Sequence, residues 1–155
     1  MSTISVTIDR NDIARLNKRL ADLLHDVLHL EPVMAEAAAY MKRSTENRFL
    51  RTNTAPNGER WAALRDVTLE MKGNDDILID SGELSKSIQI DDVSATGFMI
   101  SSNSDHASFM QDGVKRTGGW IRNKTIPPRP FLGFSDENKR RISKLIRDYL
   151  ANGGD

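Results

Sequence analysis

Lys86-Ser87-Ile88-Gln89-Ile90-Asp91-Asp92-Val93-Ser94-Ala95-Thr96-Gly97-Phe98-Met99-Ile100-Ser101-Ser102 is the stretch on which the fold class turns. Two short runs that look like strands flank a step of turn-forming residues, which is the pattern of a hairpin. The strands are predicted over Lys86 to Val93 and Phe98 to Ser102, with Ser94, Ala95, Thr96 and Gly97 as the turn of a hairpin. Elsewhere the chain reads mainly as helix and loop, so this hairpin makes the fold α+β rather than all-α.

Towards the N-terminus, Ile4, Val6 and Ile8 alternate with polar residues and predict a further short strand. Asp9 or Asn11 can cap a helix that carries Ile13, Leu16, Leu20, Leu23 and Val27 on one stripe. Pro32 suits the first turn of a second helix, where its missing N–H costs nothing. That helix sets Met34, Ala37, Ala38, Met41, Thr45 and Phe49 on one face. Two amphipathic helices with so short a join are expected to pack on each other or to cover one sheet. From Thr52 to Asn74 the helical period fails, and Asn53, Pro56, Asn57, Gly58 and Gly73 mark a long loop. A second loop, Asp112 to Arg129, holds Gly113, Gly118 and Gly119. The chain then closes with a helix capped by Ser135, with Asp136 and Glu137 in its first turn and Ile142, Leu145, Ile146 and Tyr149 on its buried stripe. The expectation is one domain over residues 1–155: an antiparallel sheet packed with two N-terminal helices and one C-terminal helix. Loops 52–74 and 112–129 are expected to be mobile in the monomer and ordered by neighbours.

Composition narrows the function. A chain of 155 residues with 38% hydrophobic and 28% charged residues is an ordinary globular sequence, long enough for one core. Twenty-two Lys and Arg against 22 Asp and Glu cancel to a formal charge of zero, which argues against a general polyanion binder. Cysteine is absent, so disulfides, thiolate nucleophiles and Cys-based zinc sites are excluded together. No apolar run approaches the roughly 20 residues that span a bilayer, and the first residues lack the pattern of a signal peptide. The expected location is the cytoplasm, without membrane contact.

No catalytic constellation stands out. His25 and His29, at i and i+4 on a helix, share a face and could hold zinc, with Asp26 where a catalytic Glu would sit. Asp is shorter than the usual base, no third His comes at a suitable spacing, and Glu31 and Glu36 flank the break at Pro32. The plainer reading is two histidines on the flank of an amphipathic helix. Ser81, Ser85 and Ser87 lack the Gly-x-Ser-x-Gly elbow of an exposed nucleophile. The acids Asp75, Asp76, Asp80, Asp91 and Asp92 lack the ligand spacing of an EF-hand. Neither a Walker A loop nor a Rossmann fingerprint is present. The expectation is a protein without catalytic residues, metal or cofactor.

Charge is nevertheless segregated. Asp66, Glu70, Asp75, Asp76, Asp80, Glu83, Asp91 and Asp92 form an acidic middle opposed only by Lys72 and Lys86. Lys115, Arg116, Arg122, Lys124 and Arg129 cluster around Trp120. On chemistry alone, a solvated loop ranks first for the basic segment. Second comes a contact with the acidic segment of a neighbouring copy, closing a head-to-tail ring. Third comes a nucleic-acid accessory role with Trp120 as stacking face.

Several motifs run in a fixed order. Phe49 leads to Ala55-Pro56-Asn57-Gly58-Glu59-Arg60-Trp61, then Leu64 and Thr68. Ile77-Leu78-Ile79-Asp80-Ser81-Gly82-Glu83-Leu84 comes next, with Ser87-Ile88. The last block is Ile126-Pro127-Pro128-Arg129-Pro130-Phe131-Leu132-Gly133, leading into the final helix. Their order and spacing resemble the phage virion morphogenesis family, the Mu-like tail-completion proteins. His106-Ala107-Ser108-Phe109-Met110-Gln111-Asp112-Gly113 keeps Ala107, Gln111 and Gly113 of the family's pattern but lacks its Tyr and its His-Gln pair. The resemblance implies a structural protein of a phage or prophage, acting at the end of a contractile tail in tail completion or head-tail joining. It also implies a homo-oligomer, a ring matching the tail's sixfold symmetry, with tail-tube or neck proteins as partners and no nucleic acid. Such a protein is found in the host cytoplasm during assembly and then in the virion tail.

The motif residues have physical readings as well. Pro56, Asn57 and Gly58 form a turn, and Trp61 and Leu64 anchor the first loop. Gly82 allows a tight bend before Leu84. Pro127, Pro128 and Pro130 stiffen an extended approach that docks Phe131 and Leu132. Arg129 is the exception, since packing gives no evident reason for a charge between prolines.

Overall fold

A computed structural model describes residues 10–64, 66, 70, 73, 76–78, 82–114 and 125–153. The strand expected at Ile4, Val6 and Ile8 lies outside the described residues. So do Thr68, Asp75, Asp80, Lys115, Arg116, Trp120, Arg122 and Lys124.

The hairpin forms as its turn chemistry predicts. β1 (Ile88–Ser94) pairs antiparallel with β2 (Gly97–Ser102), placing Ile88 opposite Ser102, Ile90 opposite Ile100 and Val93 opposite Phe98. The register shifts between Ile90 and Asp92. That is a bulge where two acids adjoin, and a bulge strengthens the local twist. The first strand begins two residues later than predicted, because Glu83–Lys86 forms a short helix. Gly82 precedes that helix at φ +74°, so the bend expected there leads into a helical turn rather than into the strand.

The first two helices are α1 (Arg10–Leu28) and α2 (Glu31–Asn47). Pro32 lies in the first turn of α2, and the helix buries Met34, Ala37, Ala38, Met41 and Thr45 as its stripe predicts. Ala37 and Ala38 are fully buried. Small side chains there let α2 lie close over both strands of the hairpin, with which it packs. α2 continues into a single π turn, Arg48–Thr52, closed by the Asn53 N–H on the Arg48 carbonyl at 2.8 Å. Asn53 ends it in the left-handed region at φ +50°. The wider turn buries two consecutive side chains, Arg48 and Phe49.

The remaining helices are α3 (Glu83–Lys86), α4 (Ala107–Asp112) and α5 (Asp136–Ala151). Ser135 caps α5 as expected: its side chain accepts from the Asn138 N–H, and the Asn138 side chain accepts from the Ser135 N–H. This reciprocal box satisfies two of the donors that a helix start leaves open. α5 packs along α2, its apolar stripe half-buried. The architecture is α+β, helices on one two-stranded antiparallel sheet.

One expectation fails. α1 neither lies along α2 nor covers the sheet. Its stripe residues Ile13, Leu16, Leu20, Leu23 and Val27 are all exposed, and Asp26 is its single buried residue. Near the end of α1 the Tyr149 hydroxyl donates to the His29 carbonyl at 2.8 Å. α2 packs on both strands of the hairpin, and α1 makes no comparable contact with them.

Candidate functional site

The ordered motifs converge on one side chain, Phe131, which is fully buried. Its ring meets Phe49 at a centroid distance of 5.2 Å, and Phe49 in turn meets Trp61 at 5.5 Å, both tilted. Tilted aromatic pairs in this range contribute beyond the area they bury. Ala55, Leu84 and Ile88 complete the buried cluster, with Ile77, Leu78, Ile100, Ala107, Met110 and Leu132 packed around it. Leu78 holds a positive φ of 62° while its side chain reaches this core.

The proline block is fastened by hydrogen bonds from every side. The Trp61 indole donates to the Pro130 carbonyl at 2.8 Å. Arg48, at the π turn, donates to the Phe131 carbonyl at 2.6 Å and to the Asn138 side-chain oxygen at 2.8 Å. Asn138 donates in turn to Tyr40 at 3.1 Å and Ser44 at 2.8 Å. Gln111 accepts from the Phe131 and Leu132 N–H groups at 3.0 and 3.1 Å and donates to the Leu132 carbonyl at 3.0 Å. Arg129 sends its guanidinium to the carbonyls of Ala62 at 2.9 Å and Ala63 at 3.1 Å. The charge between prolines thus has a packing reason: Arg129 is buried and staples the first loop to the second. Burial lowers the pKa of both arginines, partly offset at Arg48 by Tyr40. Guanidinium pKa values are so high that both stay cationic.

Two glycines let the pieces approach. Gly113 ends α4 at φ +71°, and a Cβ there would lie 2.7 Å from the Ile126 carbonyl oxygen and from the Pro128 nitrogen. The chain crosses itself at this point, with Val114 and Ile126 exchanging backbone hydrogen bonds. Gly133 makes room for the ring of Pro56. Pro56 belongs to the turn in which the Gly58 N–H closes on the Ala55 carbonyl at 2.9 Å. Pro56, Gly58, Trp61, Leu78, Gly82, Leu84, Arg129, Pro130 and Phe131 therefore belong to one connected region, and the described parts of both long loops are pinned to it.

Two members of this clamp, Arg48 and Asn138, are not singled out in the sequence, whereas Gln111 is one of the residues kept from the family's pattern. Asn138 had a detectable signal, being three residues after a capping serine, and Arg48 had none. All these polar groups bond within the chain, so the arrangement fixes loops in place. His25 and His29 stack at 4.1 Å, with the His29 Nδ1 2.7 Å from the His25 carbonyl. Among the described residues, no three His, Cys, Asp or Glu side chains gather as a metal site.

A model of the phage virion morphogenesis family matches residues 11–151, nearly the whole chain. The chain belongs to the phage virion morphogenesis family. As a member of that family it is a structural or assembly protein of a phage, and a virion component. No helix among the described residues is long and apolar enough to cross a membrane. No curated protein and no solved structure gives a significant match.

The clamp gives this family member a measurable dependence on Arg129. Replacing it by Met keeps an unbranched apolar stem but leaves the two alanine carbonyls without their donor, at a cost of about 2 kcal/mol. Arg129→Lys reaches one carbonyl at most and is expected to recover only part of that. Urea unfolding monitored by Trp fluorescence checks both, since Trp61 sits beside the staple.

Proposed function

We propose that this chain completes the end of a contractile phage tail, or joins the tail to the head, as a ring of identical copies. The observation that carries the reading is the family match across residues 11–151. Two features support it. The motif blocks spend their polar groups on joining the described parts of the two long loops, which suits a protein that works by docking. The sequence also separates an acidic stretch, including Asp75, Asp76 and Asp80, from a basic one with Lys115, Arg116, Trp120, Arg122 and Lys124. Patches of opposite sign on one chain suit a heterologous contact between neighbours, which closes as a ring when the rotation allows. In this reading the partners are further copies and the proteins of the tail tube or neck.

Electron microscopy of particles made without this protein tests the assignment. Unfinished or headless tails are expected, and normal infectious particles would overturn it. Replacing Arg116, Arg122 and Lys124 together by Glu tests the ring contact. The variant is expected to keep its unfolding midpoint and to fail to complete tails in a complementation assay. Full complementation would remove the basic segment from the interface. Affinity for DNA that falls steeply with salt would instead favour a nucleic-acid accessory role for that segment.

A further inference from the structure

The most conspicuous surface feature is α1. Its residues Ile13, Leu16, Leu20, Leu23 and Val27 are between 42% and 58% exposed, on a helix of 19 residues. In proteins most of a helix's stability comes from packing its amphipathic face, so this apolar stripe calls for a cover.

The spacing of that stripe is specific. Steps of three, four, three and four residues are the a and d positions of a heptad repeat, the narrow seam by which helices pair. The charges then select the occupant. Arg10 to Leu20 carries Arg10, Arg15, Lys18 and Arg19 against Asp12, a net of +3. Ala21 to Leu28 carries Asp22 and Asp26 and no Lys or Arg, a net of −2 with His neutral. This order runs against the helix macrodipole, which favours acids at the start and bases at the end. It is therefore unfavourable for a lone helix and favourable for one lying beside its own copy in the opposite direction.

We propose that α1 pairs antiparallel with α1 of a second copy, making the free chain a dimer in solution. The seam sets Leu20 on the partner's Leu23 and Leu16 on the partner's Val27, each twice by symmetry. In that register the basic half of each helix lies along the acidic half of the other. Sliding by one heptad would set Arg19 against the partner's Arg19, and parallel pairing would lay basic half on basic half. The contact is isologous and closes at two copies, so it is distinct from any head-to-tail ring contact.

Sedimentation equilibrium of the full chain at micromolar concentration is expected to give a dimer of about 35 kDa, twice 17.4 kDa. Leu20→Glu with Leu23→Glu is expected to raise the dissociation constant at least about 100-fold. The variant folds, because both side chains are already exposed in the single chain, and its unfolding midpoint at low concentration checks this. Direction is read by disulfides, since the chain has no cysteine of its own. An oxidised mixture of Leu16→Cys and Val27→Cys chains is expected to give mainly the mixed dimer. A monomeric wild-type chain would overturn the proposal, and would mean that the first nine residues or a different protein covers the stripe. Association unchanged by the Glu pair would overturn it equally. Preferential Leu16→Cys homodimers would overturn the antiparallel direction.

Discussion

Phe131→Ala is expected to lower the stability of the fold by about 4 kcal/mol. Phe131 is fully buried and touches both the Phe49 ring and the chain of contacts that reaches Trp61. Truncation removes a large apolar side chain and leaves a cavity that the surrounding atoms fill poorly. They are held in place by Arg48, Gln111 and Trp61 bonding to the backbone of residues 130–132. For a chain of this size the loss corresponds to a fall of roughly 10 °C in Tm. Phe131→Leu keeps most of the volume and is expected to lose less than half as much. The two urea midpoints decide the matter. Equal, small losses in both variants would show that the proline block is not anchored through this ring.

Asn138→Ala is expected to cost about 3 kcal/mol, a large effect for one polar residue. Asn138 is 2% exposed and joins four groups at once: the Ser135 N–H, Arg48, Tyr40 and Ser44. Alanine leaves a buried guanidinium short of an acceptor and removes half of the capping box that starts α5. The asymmetry between a made and an unmade buried hydrogen bond is what makes the loss large. Asn138→Asp keeps the acceptor for Ser135 and Arg48, adds a charge that suits the guanidinium, and gives up both donors. It is expected to retain at least half of the stability that alanine loses. If Asp proves as damaging as Ala, the donors to Tyr40 and Ser44 carry the residue's role rather than its link to Arg48.

The elements legible in the sequence are those whose signal is local. Ile88 and Ile90 lie on one side of the polar step that Gly97 closes and Phe98 and Ile100 on the other, so the hairpin can be placed to within two residues. The α2 stripe from Met34 to Thr45 and the cap at Ser135 are equally plain, because a helix repeats its inward positions every three or four residues. The short α3 is not legible, since Gly82 permits a bend without specifying whether helix or strand comes after it. The π turn is not legible either, because nothing in Arg48-Phe49-Leu50 distinguishes it from one more turn of α2. The clamp is opaque for a different reason. Arg48 and Asn138 lie 90 positions apart, and Arg129 reaches back 67 positions to Ala62. Hydrogen bonds across such separations leave no periodic trace.

By itself the sequence determined the kinds of element, their amphipathic faces, and an order of motifs specific enough to indicate the family. It also determined that neutrality is the sum of an acidic middle and a basic loop. Only the tertiary structure decided what each face packs against. An apolar stripe states that it must be covered, and its period states the shape of the cover. Neither says whether that cover lies in the same chain. Here α2 packs on the sheet, while the apolar stripe of α1 stays exposed. The place of Arg129 was decided in the same way, since two carbonyls brought close by folding accept its hydrogen bonds. Both outcomes depend on which groups are brought together, and that exists only once the chain has folded.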